Sequence, residues 1–167
     1  MPLVGHAGPL GQWDAALAGG ALHHAWLLAG PEGVGKARFA EEAAIRLLAV
    51  HAAGEPRERT AELIAAGTHP DHRVLRRLPK DPDKPDADLA RSITIAQIRA
   101  LQPLFATRPS FGAARVVVID AIDDLERSGA NALLKNLEEP PAGTVFLLIS
   151  HAPGRLLPTI RSRCRRR

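Results

Sequence analysis

The 167-residue sequence predicts a three-layer α/β fold, a parallel sheet flanked by helices on both faces. Three observations carry that expectation. Apolar runs of strand length alternate along the chain with stretches of helical periodicity, the alternation that builds parallel sheets. Those runs are apolar throughout rather than at every second residue, as strands covered on both faces are. Finally, GPEGVGKA at residues 30–37 sets a glycine-rich loop between the first such run and a helix. The length suits one domain with a real core, so residues 1–167 are read as a single domain.

From the N-terminus, residues 12–17 read as a short helix that Gly19-Gly20 stops. HAWLLAG, residues 24–30, is a buried strand feeding a turn. KARFAEEAAIRLLAVHAAG follows, rich in helix formers, with Phe39, Ala43, Leu47 and Val50 on the expected buried face and Gly54 as the stop. Residues 60–66 read as a further short helix, and HRVLRRL, residues 72–78, as a second strand. PKDPDKPDADLA is polar and rich in Pro and Asp, an exposed loop. In SITIAQIRALQPLFA, Thr94 and Gln97 match a capping box. Ile95, Ile98, Leu101 and Phe105 supply that helix with an apolar face, and Pro103 is expected to kink or end it.

RVVVID, residues 115–120, is a β-branched run ending in an acid, a buried strand. SGANALLKNLEE is a helix stopped by Pro140-Pro141. TVFLLIS, residues 144–150, is another buried strand, and GRLLPTIRSRC, with Pro158 in its middle, is expected to form short helical turns.

Composition narrows the function classes. Cys164 is the single cysteine, which excludes an internal disulfide and a zinc site built from several thiolates. The start, MPLVGHAGPL, lacks a basic residue followed by a long apolar run, so no secretory signal is expected. No apolar run approaches the ~20 residues of a membrane span, and the expected location is cytoplasmic. Six of the 22 basic residues lie between Arg155 and Arg167, a stretch with no acid. The rest of the chain is slightly acidic, 16 bases against 18 acids. The basic tail could meet phosphates or could be a solvated end.

The chemistry centres on the glycine-rich loop. Gly30, Pro31, Gly33, Val34, Gly35 and Lys36 fit the pattern Gly, four residues, Gly, Lys. Glycines let the backbone curl around phosphates, and the lysine reaches the β and γ phosphates. The next position normally offers a hydroxyl to magnesium, and here it is Ala37. Asp120, at the end of its strand, fits the acid that holds magnesium, but Ala121 stands where a base would polarise water. Losing a positioned general base costs about 10²–10⁴ in rate. The expected site therefore keeps phosphate contacts and loses chemistry: ATP or ADP bound weakly, magnesium poorly held. Ser150 could contact a γ-phosphate or cap the following turn. Asp123 and Asp124 read as the start of the next helix, where acids are favourable, in preference to a substitute for the missing base. The two histidines and one acid of HPDH, residues 69–72, lack further ligands, so a solvated loop is expected and no metal. His23-His24 reads as structural or surface.

Taken in order, HHAWLLAGPEGVGKA, SITIAQIRALQ, VVVIDAIDDL, ANALLKNLEEPP and LLPTIRSRC resemble the clamp-loader branch of the AAA+ ATPases, a class of P-loop NTPases. Within it the chain is similar to the delta-prime subunits of bacterial DNA polymerase III, from about Val4-Gly5-His6 onward. NALLKNLEEPP followed by SRC is the most specific part. The resemblance implies that Ser150 is a sensor residue. It also implies that Arg163, in Ser162-Arg163-Cys164, acts in trans as an arginine finger on ATP of a neighbouring subunit. Such fingers are worth about 10³–10⁵ in rate. Implied partners are the gamma/tau and delta subunits in a ring, with the sliding clamp and primed DNA reached through the complex. No zinc is expected, because the four-cysteine module of many relatives is replaced by the cysteine-free residues 51–91. A gamma/tau-type ATPase would be expected to keep Thr after the lysine, Glu after the strand acid and that module. The rival readings are an autonomous ATPase and a nucleic-acid-binding module acting through the arginine tail. The family also implies a last strand, a helical lid and a helical collar after the Ser-Arg-Cys motif. The chain ends at Arg167, so the lid and collar are expected beyond it and the last strand is expected to be absent.

Overall fold

The computed structural model describes residues 7–20, 22–52 and 54–166. Expectations that fall on residues 1–6, including Val4-Gly5-His6, lie outside them. In chain order the elements are α1 (Ala7–Ala18), β1 (Ala25–Ala29), α2 (Lys36–His51), α3 (Arg57–Ala65), β2 (His72–Leu75), α4 (Ile95–Arg99), α5 (Gln102–Phe105), β3 (Arg115–Asp120), α6 (Arg127–Glu138), β4 (Thr144–Ser150), α7 (Pro158–Ser162) and β5 (Arg165–Arg166). Two 3₁₀ turns, Ile122–Asp124 and Pro153–Arg155, lie between β3 and α6 and between β4 and α7.

The strands form one sheet in the order β2-β3-β4-β1-β5, every pairing parallel. Side chains alternate across it, as the pleat demands. On one face Trp26, Leu28, Val116, Val118, Leu147 and Ile149 join Trp13 of α1 and Phe39, Ala43 and Leu47 of α2 in a single core. On the other, Leu27, Val117, Ile119, Phe146 and Leu148 pack with Ile98, Leu133, Leu137 and Ile160 from α4, α6 and α7. Each inner strand feeds both cores, which is why its sequence reads as an unbroken apolar run.

The helix ends follow local chemistry. The capping box forms: Thr94 Oγ1 accepts the Gln97 N–H at 3.3 Å and Gln97 Oε1 accepts the Thr94 N–H at 3.0 Å. The helix is interrupted between α4 and α5, at Ala100 and Leu101; Pro103, the second residue of α5, has no N–H to continue the ladder of α4.

Two expectations of local structure are corrected here. Val50 is 68% exposed; the buried face of α2 is centred on Ala40, Ala43, Ala44, Leu47 and Leu48, and Val50 falls off it on the last turn. The last strand is not absent: after α7 the chain turns back along the free edge of β1, and Arg165 and Arg166 pair with Trp26 and Leu27. No helix among the described residues is long and apolar enough to cross a membrane.

Candidate functional site

The glycine-rich loop leaves β1 at the carboxyl end of the sheet, where α/β folds build their sites. Its first residue is knit to β4: the Gly30 N–H donates to the Ser150 carbonyl at 3.2 Å. Gly33 and Gly35 both adopt φ +86, a left-handed conformation that a Cβ would disfavour. This lets the chain fold into a cradle and enter α2 directly. Gly35 is the N-cap of α2 and offers no side-chain acceptor. The first N–H groups of the helix have no intrahelical partner, so a phosphate is a fitting acceptor there.

Lys36 is 6% exposed, and its ammonium donates to the Gly30 carbonyl and, at 2.6 Å, to the Pro31 carbonyl. Burial lowers its pKa, an effect opposed by the nearby acids Asp123, Glu32 and Asp120. The lysine is thus folded onto the mouth of its own loop, and an incoming phosphate must compete with two carbonyls.

The loop fits a phosphate, but the residues around it do not fit a magnesium shell. Ala37 and Asp120 line one cleft of about 710 Å³ together with Arg73 and Arg76. Ala37 brings a methyl group where a hydroxyl would bind metal. The Asp120 carboxylate is 3.8 Å from the Arg76 guanidinium, so a cation of this chain already faces it. Ala121 is buried and apolar, and provides no base.

Ser150 is fully buried, and its hydroxyl donates to Asp123 Oδ1 at 2.7 Å. Asp123 Oδ2 also accepts the His151 N–H at 2.6 Å. Capping of the following turn by the Ser150 hydroxyl is therefore corrected: the hydroxyl turns to the acid instead. Asp123 and Asp124 do not begin the helix either. They sit in the 3₁₀ turn after β3, and α6 starts only at Arg127. Asp123 is the residue that sequence reasoning undervalued. Its signal was an acid three positions past Asp120, but only the parallel pairing of β3 and β4 brings it to Ser150.

HPDH is not a solvated loop. His69 and Asp71 are buried, and the Asp71 carboxylate accepts the N–H groups of Ser110 and Phe111 at 2.7 and 2.9 Å. These residues clamp the start of β2 to the loop before β3. Among the described residues no group of three or more His, Cys, Asp or Glu is placed to hold a metal ion. His24 bonds through Nε2 to the Leu137 carbonyl at 2.8 Å, a structural tie between β1 and α6.

Arg163 closes α7. Its guanidinium donates to Glu138 Oε1 at 2.8 Å and to the Thr159 carbonyl at 2.9 Å. Next to it, burial pushes the Cys164 thiol up to about 11, which makes it a poor nucleophile. The structure thus gathers Gly30, Gly33, Gly35, Lys36, Asp120, Asp123 and Ser150 at one end of the sheet and holds Arg163 by other partners.

A family model described as DNA polymerase III, delta subunit, matches residues 6–166. The chain belongs to that family. The DNA polymerase III subunit delta' of Pseudomonas aeruginosa is 45% identical over 162 residues, covering 91% of this chain and 46% of the relative. That of Bacillus subtilis is 37% identical over 145 residues, 86% of this chain and 41% of the relative. The chain therefore spans about half the length of the curated relatives it matches. Among solved structures, a DNA polymerase III gamma subunit-related protein of Thermotoga maritima superposes with a TM-score of 0.62 at 22% identity, over 93% of this chain and 45% of that one. At that identity the likeness speaks for the fold alone, a parallel sheet flanked by helices. In this family setting the loop with its degenerate metal shell and the Arg163 end of α7 are the two features to explain.

Proposed function

We propose that the chain is a largely non-hydrolysing subunit of a bacterial clamp loader, acting in the cytoplasm. It sits in a ring with gamma/tau and delta subunits that loads the sliding clamp onto primed DNA. Its own loop serves as a phosphate cradle for ATP or ADP, weakly bound and without a dependable metal. Arg163 is presented to ATP on a neighbouring subunit. DNA contacts, made through the complex, are to backbone phosphates and independent of sequence.

One observation supports this reading: a phosphate loop with left-handed Gly33 and Gly35 stands beside Ala37 at the metal-hydroxyl position, Ala121 at the base position and an Asp120 that faces Arg76. Such a loop suits an anion, while Ala37 offers no hydroxyl to a metal and Ala121 no base to water. The Lys36 contacts with the Gly30 and Pro31 carbonyls point the same way, because they must be given up on binding.

The test is calorimetric titration of the chain with ATP, with magnesium and with a chelator, and an assay of phosphate release on the same sample. Binding without release is the expected result. Release that disappears in Lys36→Ala would make the chain an ATPase in its own right and overturn the reading.

A further inference from the structure

Glu138 and Arg163 end two different helices that meet on one side of the sheet. Glu138 is the last residue of α6, and Arg163 follows the last residue of α7. The Arg163 Nη2 to Glu138 Oε1 contact is 2.8 Å, and both side chains are partly open to solvent. A second N–H, from Nη1, goes to the Thr159 carbonyl at 2.9 Å inside α7. The guanidinium is therefore neither free nor buried. It is folded back onto its own chain by the Glu138 carboxylate and the Thr159 carbonyl, with the Ser162 hydroxyl at 3.5 Å from Nη1.

We propose that Glu138 is a positioning residue that holds Arg163 at rest and yields it to a polyphosphate on the neighbouring subunit. This rests on the finger reading of Arg163. The physical reason is competition for one guanidinium. A carboxylate and a phosphate both seek its planar fork of donors. Glu138 cannot remain beside Arg163 when a triphosphate arrives, because two anions would then face each other across a few ångströms. The finger is thus delivered by exchange of one anion for another. On the neighbour, water attacks the γ-phosphorus, the bond from that phosphorus to the bridging oxygen breaks, and ADP and phosphate leave. Arg163 only stabilises the negative charge gathered on those oxygens.

The pair is half exposed, so its strength is that of a surface ion pair, and the hold is partial. A finger that is available only part of the time lowers the apparent rate by that fraction. Removing the hold raises the rate by the same factor, about two- to fivefold.

The experiment uses the full-length chain assembled with its ATPase subunits and measures ATP turnover without DNA, across a range of salt. Glu138→Gln is expected to raise the turnover number about two- to fivefold and to flatten its salt dependence, because salt no longer loosens the pair. On an Arg163→Ala background, Glu138→Gln should have no effect; a merely structural role would act with or without Arg163. Glu138→Asp, which keeps the charge and withdraws it, should shift the rate in the same direction by less. It serves where the Gln variant assembles poorly. If Arg163→Ala lowers turnover while Glu138→Gln leaves it unchanged or lowers it, the holding role is overturned and the finger reading stands. If Arg163→Ala changes nothing in an assembled ring, the finger reading falls and the proposal with it.

Discussion

The Ser150 hydroxyl and the Asp123 carboxylate are joined by a 2.7 Å hydrogen bond that ties the end of β4 to the turn after β3. The Ser150 carbonyl in turn accepts the Gly30 N–H, so the tie continues into the phosphate loop. One acid thus holds together three segments that are far apart in sequence.

Asp123→Ala should therefore destabilise the chain more than Ser150→Ala does. The first leaves a buried hydroxyl and the His151 N–H without their acceptor, at a cost of about 2–3 kcal/mol. The second removes the donor together with its need for a partner. Denaturant midpoints of both variants check this; a Ser150→Ala cost equal to or above that of Asp123→Ala would overturn it.

The Asp120 carboxylate faces the Arg76 guanidinium at 3.8 Å, and Ala37 has no hydroxyl to offer. ATP affinity should be the same with magnesium as with a chelator. Ala37→Thr restores one ligand and should make affinity magnesium-dependent by about tenfold, the equivalent of about 1.4 kcal/mol. Calorimetry decides it. A magnesium requirement in the unaltered chain would show that Asp120 holds metal despite Arg76.

His72, at the start of β2, should make stability depend on pH. Burial, with repulsion from His69, Arg73 and Arg76, pushes its pKa down to about 4 from 6.5. Burial also lowers the pKa of His69 beside it. Between pH 6.5 and about 4 the unfolded chain binds more protons at His72 than the folded chain does. Stability is then full above pH 6.5 and falls as pH drops toward 4, by up to about 3 kcal/mol from this group. Urea unfolding at several pH values should show that slope, and His72→Gln should reduce it. An unchanged slope would place the pH sensitivity elsewhere.

The sequence by itself determined four of the five strands, β1 to β4, and most of the helices. RVVVID and TVFLLIS became β3 and β4 with their ends where the apolar runs stop. A strand buried on both faces must be apolar throughout, and that is a local property of the chain. The phosphate loop was legible for a similar reason, since its backbone path depends on glycines fixed by position. The capping box was legible because both its partners lie within one turn.

What only the tertiary structure decided are relationships between segments. Asp71 reads as a loop acid, and becomes a buried clamp once the loop before β3 is laid across it. Val50 reads as a core residue, and is exposed because it falls off the buried face of α2 on the last turn. Asp123 finds Ser150, and Arg163 finds Glu138, across 27 and 25 positions of sequence respectively. No local rule encodes such pairs. They form because the parallel sheet brings the ends of successive strand–helix units to one side, where charged and polar side chains must take whatever partners the fold presents.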